Sequence, residues 1–249
     1  ILNALLMVFS AIAGIVFIGV LEFTIPEFFA ILALANLVVA GIIYSIVPEF
    51  MIRLLIWGLT NVLYRLKKTG LENIPREGPC LLVCNHVSYV DALLIAGAVR
   101  RPARFVMFKP IYETPVLNYI FRQGKAIPID SAERDPETYH AAFECIREAL
   151  DDGQIVCIFP EGRLTKDGEL GEFRTGVEKI LADRPVPVIP MALRGLWGSF
   201  FSHKGGPALS TRPRRFWSRV ALRVGEPLAP EQASAAALRE RVASLRDSE

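Results

Sequence analysis

Histidine and cysteine are scarce in this chain of 249 residues, with three of the first and four of the second. His140 falls on a predicted solvent-facing helix and His203 in a loop. Neither has partners at metal-ligand spacing, so no metal is expected. The cysteines show no paired spacing, which argues for reduced thiols and against a disulfide frame. Cys84 and Cys157 sit inside apolar runs, where a thiol behaves as a small hydrophobe, and no serine or cysteine carries a recognisable nucleophile signature. Lysine and arginine are absent from the first fifty residues, whose only charges are Glu22, Glu27 and Glu49. A cleaved signal peptide fits poorly, because its basic leading region is missing. The net charge of +2 gives little support to nucleic-acid binding. The one dense basic cluster, Arg212-Pro213-Arg214-Arg215-Phe216-Trp217-Ser218-Arg219, also holds aromatics; it suits a bilayer headgroup region or a solvated loop. There is no internal repeat and no long low-complexity segment.

Long apolar runs are what the front of the chain does have. Residues 5–21 and 28–47 are almost continuously apolar, separated by Glu22-Phe23-Thr24-Ile25-Pro26-Glu27. Each is about long enough to span a bilayer as a helix of ~20 residues, which predicts a transmembrane hairpin over residues 1–49. Arg53, Arg65, Lys67 and Lys68 follow, and that positive excess places what comes next on the cytoplasmic side. Over residues 50–69 these cations are interleaved with apolar and aromatic residues, a pattern that reads as an interfacial amphipathic helix. The opening residue Ile1 stands inside an apolar pattern, as in a piece of something longer. All 28 basic residues lie beyond residue 50, a mild excess suited to an anionic membrane surface or to phosphate-bearing substrates.

Beyond residue 70 the pattern alternates. Strands are predicted at 81–84, 104–107, 126–129, 155–159, 186–193 and 220–224. Helices are predicted at 91–99, 115–122, 137–150, 175–182 and 231–245. Alternating types predict an α/β domain over 70–228, with helices around a largely parallel central sheet. Residues 229–249 read as a peripheral helix and tail.

Two strand ends carry candidate chemistry. Asn85-His86-Val87-Ser88-Tyr89-Val90-Asp91 places an imidazole and a carboxylate five residues apart where an apolar strand runs into a helix. Ser88 is the expected N-cap, with Asp91 in the first turn, where the helix dipole favours a carboxylate. Such a histidine can donate Nδ1–H to Asp91 and keep Nε2 as a base toward a hydroxyl. An apolar run likewise ends in Phe159-Pro160-Glu161-Gly162-Arg163, delivering a carboxylate, a glycine and a guanidinium to the sheet edge where open α/β folds place their ligands.

These residues together resemble the glycerolipid acyltransferase family, which includes the lysophosphatidate acyltransferases. The Asn-His-x4-Asp block at 85–91 precedes Phe-Pro-Glu-Gly-Arg at 159–163. Between them lie Arg104-Phe105-Val106-Met107-Phe108-Lys109 and Gly124-Lys125-Ala126-Ile127-Pro128-Ile129-Asp130, and Val186-Pro187-Val188-Ile189-Pro190-Met191-Ala192 follows. The front of the chain, with the stretch from Met191 to Phe201, resembles bacterial fusions in which a lysophospholipid transporter precedes an acyltransferase. On that resemblance, residues 1–47 end a truncated transporter and upstream helices are missing from this chain.

The resemblance implies a membrane-bound enzyme that moves an acyl group from an acyl carrier protein or coenzyme A thioester to the free hydroxyl of a lysophospholipid. The acceptor would be 1-acylglycerol-3-phosphate or 2-acylglycerophosphoethanolamine, and the setting a bacterial inner membrane with the catalytic domain facing the cytoplasm. It needs no cofactor. It makes His86 the general base and Asp91 its orienting partner. Glu161 and Gly162 would shape the acceptor site, Arg163 would hold a phosphate by bidentate hydrogen bonds, and Lys109, Lys125 and Arg174 are further candidates for that anion. Two departures bear on the head group. Many members read Glu-Gly-Thr-Arg where this chain has Glu161-Gly162-Arg163-Leu164-Thr165, and Asp130-Ser131 occupies a place where arginine is common. The competing readings are a lipid-binding or transport module without turnover, and a hydrolase in which His86 activates water.

Overall fold

The computed structural model describes residues 7–8, 11–20, 22–46, 54, 56–58, 60–62, 64–115, 117–199, 201–204 and 218–247. The chain divides into two compact units, Ile1–Met51 and Ile52–Glu249.

In the first unit, helix α1 (Ile25–Ile46) begins three residues earlier than the apolar run predicts. Thr24 and Glu27 explain the shift. The Thr24 N–H and hydroxyl both donate to Glu27 Oε2, at 2.8 and 2.7 Å, closing the first turn as a capping box does. Among the described residues, Ile25–Ile43 is the one stretch long and apolar enough to cross a membrane; Ala11–Val20 is a shorter apolar helix. Residues 5, 6, 9, 10 and 21 of the predicted first span, and residues 47–53 at and after the end of the second, lie outside the described residues, as do Arg212 to Trp217 of the basic cluster.

The second unit is built on one seven-stranded sheet. Its strands are β1 (Tyr64–Thr69), β2 (Cys80–Cys84), β3 (Ala103–Phe108), β4 (Ile127–Ile129), β5 (Ile155–Ile158), β6 (Val188–Arg194) and β7 (Ser218–Val224), in the order β1-β7-β6-β2-β5-β3-β4. From β6 to β4 all neighbours pair in parallel; β7 runs antiparallel to β6, and β1 runs parallel to β7. The sheet is largely parallel, as the alternating pattern predicts. Its helices are α2 (Asp91–Ala98), α3 (Lys109–Tyr112), α4 (Leu117–Gln123), α5 (Pro136–Asp151), α6 (Gly176–Asp183) and α7 (Ala235–Asp247).

Strand β2 shows why the run Cys80-Leu81-Leu82-Val83-Cys84 lacks polar alternation. All five residues are buried, and the pleat sends Cys80, Leu82 and Cys84 into one core with Leu94 and Ile95 of α2. Leu81 and Val83 enter the other core, with Ala142, Ile146, Ala149 and Leu150 of α5, Val177 and Ile180 of α6, and Leu238 and Val242 of α7. A parallel strand covered on both faces reads as continuously apolar.

Two expectations are corrected. Tyr64–Thr69 is a strand, not the end of an amphipathic helix. Its alternation is real but short, with Tyr64 buried and Leu66 half-buried between exposed cations, because it is an edge strand that meets the core only at its first residues. The tail is not peripheral either: Leu238 and Val242 of α7 are fully buried, so the α/β unit extends past residue 228.

Candidate active site

Where β2 ends, the chain turns out of the sheet without losing its ladder. The buried Asn85 side chain takes the place of a peptide group: Nδ2 donates to the Leu193 carbonyl at 3.0 Å, and Oδ1 accepts the Leu193 N–H at 2.7 Å. The main chain is then free to carry His86 away from the strand. Asn85→Ala would leave both Leu193 groups buried and unpaired, so we expect a loss of about 2–4 kcal/mol, read as a lowered urea midpoint with unchanged slope.

His86 is held from several sides. Its N–H donates to Glu161 Oε1 at 2.7 Å, and its carbonyl accepts the Thr165 N–H at 2.9 Å. The imidazole stacks on Phe159, with centroids 4.1 Å apart and planes 16° from parallel. Nδ1 lies 2.9 Å from Oδ2 of Asp91, which is completely buried, while the His86 side chain keeps 22% exposure. Asp91 Oδ2 also accepts the N–H groups of Val87 at 2.6 Å and Ser88 at 2.8 Å. A carboxylate receiving two backbone donors is an acceptor, so Nδ1 carries the hydrogen and the lone pair is left on Nε2. The other oxygen, Oδ1, is buried without a hydrogen-bond partner among the described residues.

Ser88 is not the helix N-cap. Helix α2 is preceded by Val90 in the αR region with no side-chain cap. The Ser88 hydroxyl instead donates to the Phe201 carbonyl at 3.1 Å, and Asp91 folds its carboxylate back over the turn. The turn is thus organised around the Asp91 carboxylate and His86, with its far side stitched to the segment after β6.

The resemblance assigns Glu161 to the acceptor site; in the structure each of its oxygens accepts one backbone N–H. Oε1 takes the His86 N–H and Oε2 takes the Gly171 N–H at 2.9 Å. A Cβ on Gly171 would lie 2.9 Å from Oε2, so that glycine admits the contact. Burial pushes the Glu161 carboxyl up, and the two backbone donors partly offset this. Glu161 therefore ties the His86 backbone to that of Gly171.

The basic candidates separate clearly. Gly162 adopts φ +66°, and a Cβ there would meet Arg174 Nε at 2.8 Å. The Arg174 side chain thus lies against Gly162, anchored by its own N–H on the Pro160 carbonyl at 2.9 Å. Arg163 is exposed on the same loop. Lys109 Nζ donates to Asp135 Oδ2 at 2.8 Å and Thr138 Oγ1 at 3.0 Å, at the start of α5, and its side chain keeps 34% exposure. Lys125 is not brought to His86. It precedes β4, three places from β2 in the sheet, a lateral distance of about 14 Å at ~4.8 Å per strand.

Asn85 and Phe159 stand inside the sequence motifs, but their contacts join segments far apart in the chain. Thr165 has no local signature. Its hydroxyl lies within hydrogen-bond distance of Asp167 Oδ1, the Glu169 carbonyl and the Gly168 N–H, and Trp197 packs against Gly168, where a Cβ would lie 2.8 Å from three indole atoms.

Cys80, Cys84 and Cys157 are fully buried. Burial pushes Cys80 up to about 11 and raises Cys84 and Cys157 as well, so none is a thiolate at neutral pH. Iodoacetamide at pH 8 is expected to spare these three in the folded protein, to modify the partly exposed Cys145, and to modify all four in urea; mass spectrometry of the peptides checks this.

An imidazole backed by a buried carboxylate, at the carboxyl-terminal edge of an open α/β sheet, is an arrangement chemically suited to activating a hydroxyl or a water. The chain belongs to the acyltransferase family, whose model matches residues 65–194. It is similar to a chloroplastic 1-acyl-sn-glycerol-3-phosphate acyltransferase of Brassica napus, at 32% identity over 53% of this chain and 38% of that protein. It is also similar to a 1-acyl-sn-glycerol-3-phosphate acyltransferase of Pseudomonas aeruginosa, at 31% identity over 56% of this chain and 54% of that one. The chain thus spans between about a third and a half of the length of these relatives. Among solved structures it resembles the 1-acyl-sn-glycerophosphate acyltransferase of Thermotoga maritima, with a TM-score of 0.55 and 25% identity, covering 74% of this chain and 69% of that one.

Proposed function

We propose that this protein transfers an acyl group from a thioester to the free hydroxyl of 1-acylglycerol-3-phosphate, at a membrane, with His86 as general base. The observation that carries this reading is the 2.9 Å contact between His86 Nδ1 and a fully buried Asp91. His86 Nε2 takes the acceptor's hydroxyl proton as the oxygen attacks the thioester carbonyl. The C–S bond breaks, the ester C–O bond forms, and the proton passes from His86 to the departing thiolate. The buried, protonated cysteines support direct transfer without an acyl-enzyme. Arg174, lying on Gly162, and the exposed Arg163 are the cations to which we assign the acceptor phosphate.

The acyl donor is an acyl carrier protein or coenzyme A thioester. Helix α1 anchors the chain in the bilayer, and the cations that follow it favour a cytoplasmic catalytic unit in a bacterial inner membrane. The names of the relatives favour lysophosphatidate over lysophosphatidylethanolamine as acceptor.

The test is thiol release by the full chain in lipid nanodiscs, with each lysolipid and with none. Release that depends on lysophosphatidate is the expected result. Equal release with fatty acid as product and no acceptor would make the protein a hydrolase, and lysolipid binding without thiol release would make it a binding module.

A further inference from the structure

Helix α7 lies beyond the stretch that the family model matches, 65–194, yet it reaches the loop between β5 and α6 that carries Glu161, Gly162 and Arg163. Arg239 and Arg246 of α7 stand about two turns apart, so they project from one side of the helix. Arg246 Nη2 lies 3.2 Å from Glu169 Oε2. Arg239 takes the next stretch of the same loop: Nε donates to the Gly171 carbonyl at 3.1 Å and Nη2 to the Leu170 carbonyl at 3.3 Å. Glu172 Oε1 is 3.6 Å from Nη2, but that side chain is 89% exposed, and such a surface pair contributes little.

The Leu170 carbonyl and the Gly171 N–H belong to one peptide group. Its oxygen accepts from Arg239, and its N–H donates to Glu161 Oε2 at 2.9 Å. A cation on the carbonyl draws electron density from the amide nitrogen and makes the N–H a stronger donor. The acceptor is a buried carboxylate, only 6% exposed, and a buried charge depends on its hydrogen bonds. Its other oxygen holds the His86 N–H at 2.7 Å. An unbroken line of contacts thus runs from Arg239, through one peptide plane and Glu161, to the main chain of His86.

We propose that Arg239 is a positioning residue for acyl transfer: it fixes and polarises the 170–171 peptide, so that Glu161 holds the His86 main chain in place. This rests on the reading of His86 as the general base. Arg246 provides the comparison, because it meets the loop at the Glu169 side chain, which is 75% exposed. Arg239 can be changed without releasing the helix, since Leu238 and Val242 are fully buried and hold α7 in the core.

The test uses the full chain in lipid nanodiscs and takes two readings. The first is hydrogen–deuterium exchange without substrate, resolved to single residues by electron-transfer fragmentation. Arg239→Gln should speed exchange of the His86 and Gly171 N–H groups about tenfold and leave β2, α5 and α7 at the parent rate. Arg246→Gln should leave all of them at the parent rate. Unchanged exchange at His86 in Arg239→Gln, acceleration that extends to β2, α5 or α7, or the same change in Arg246→Gln would overturn the proposal. The second reading is acceptor-dependent thiol release. Arg239→Gln should lower kcat about tenfold, with KM for the acceptor within about twofold of the parent. It should add no further loss to Glu161→Gln. Losses that multiply in the double variant put Arg239 on a separate route and overturn the relay, as does an unchanged kcat or a loss carried by KM. The exchange reading needs no turnover, so the line of contacts and the enzymatic reading fail separately.

Discussion

His86→Ala lowers kcat for acceptor-dependent thiol release by about 10²–10⁴-fold, the usual contribution of a general base, while the domain stays folded. The structure separates the two effects. The main-chain bonds that fix residue 86, from its N–H to Glu161 and from Thr165 to its carbonyl, do not involve the imidazole. The substitution removes a ring that is 22% exposed and its stacking on Phe159, worth about 0.5–1.5 kcal/mol. A small fall in melting temperature with a collapse of turnover is the expected pair of readings. Turnover within twofold of the parent would sink the mechanism, because no other described histidine stands at the β2 edge beside a buried carboxylate.

Asp91 yields the second large effect, and here asparagine and alanine should differ in kind. The hydrogen bonds of the carboxylate converge on Oδ2, from His86 Nδ1 and from the Val87 and Ser88 N–H groups. In Asp91→Asn the new amide oxygen can take that place and keep the turn, but the negative charge that stabilises an imidazolium is withdrawn. The amide NH2 also enters the buried position of Oδ1, which has no partner among the described residues. We expect a kcat loss of about 10²-fold or more with KM nearly unchanged, and a destabilisation of about 1–3 kcal/mol from the unpaired amide. Asp91→Ala strands two buried N–H groups as well, so its destabilisation should exceed that of the asparagine variant. Steady-state kinetics and urea titration of both variants check this. An asparagine variant with full kcat would reduce Asp91 to a turn-forming residue.

The parts of this site that could be read from the sequence are the local ones. His86 and Asp91 are five residues apart at a strand-to-helix junction, so their meeting follows from one turn of chain. The six strands predicted beyond residue 80 are all present, and the clearest of them, β2, β5 and β6, are buried parallel strands that write themselves as apolar runs. Strand β1 was not legible, since Arg65, Lys67 and Lys68 decorate an edge strand much as they would an interfacial helix. Nor was the contact of Glu161 with the His86 N–H, which is made across 75 residues of chain. The Asn85 amide finds Leu193 across 108 residues, and no spacing rule announces that. Lys109 pairs with Asp135, 26 residues later, a contact that its motif does not announce either.

The placement of β1 also bears on how the chain is made. Translation produces residues 64–69 just after the apolar helix, but their ladder partner is Ser218–Val224, so the strand waits for some 150 residues before it can pair. Such a distant pairing is slow to form and leaves a strand edge open meanwhile. The stretch matched by the family, 65–194, includes nearly all of β1 but not β7. Expressed alone, it would present two unsatisfied edges, those of β1 and β6, and would be prone to aggregate on release from the ribosome.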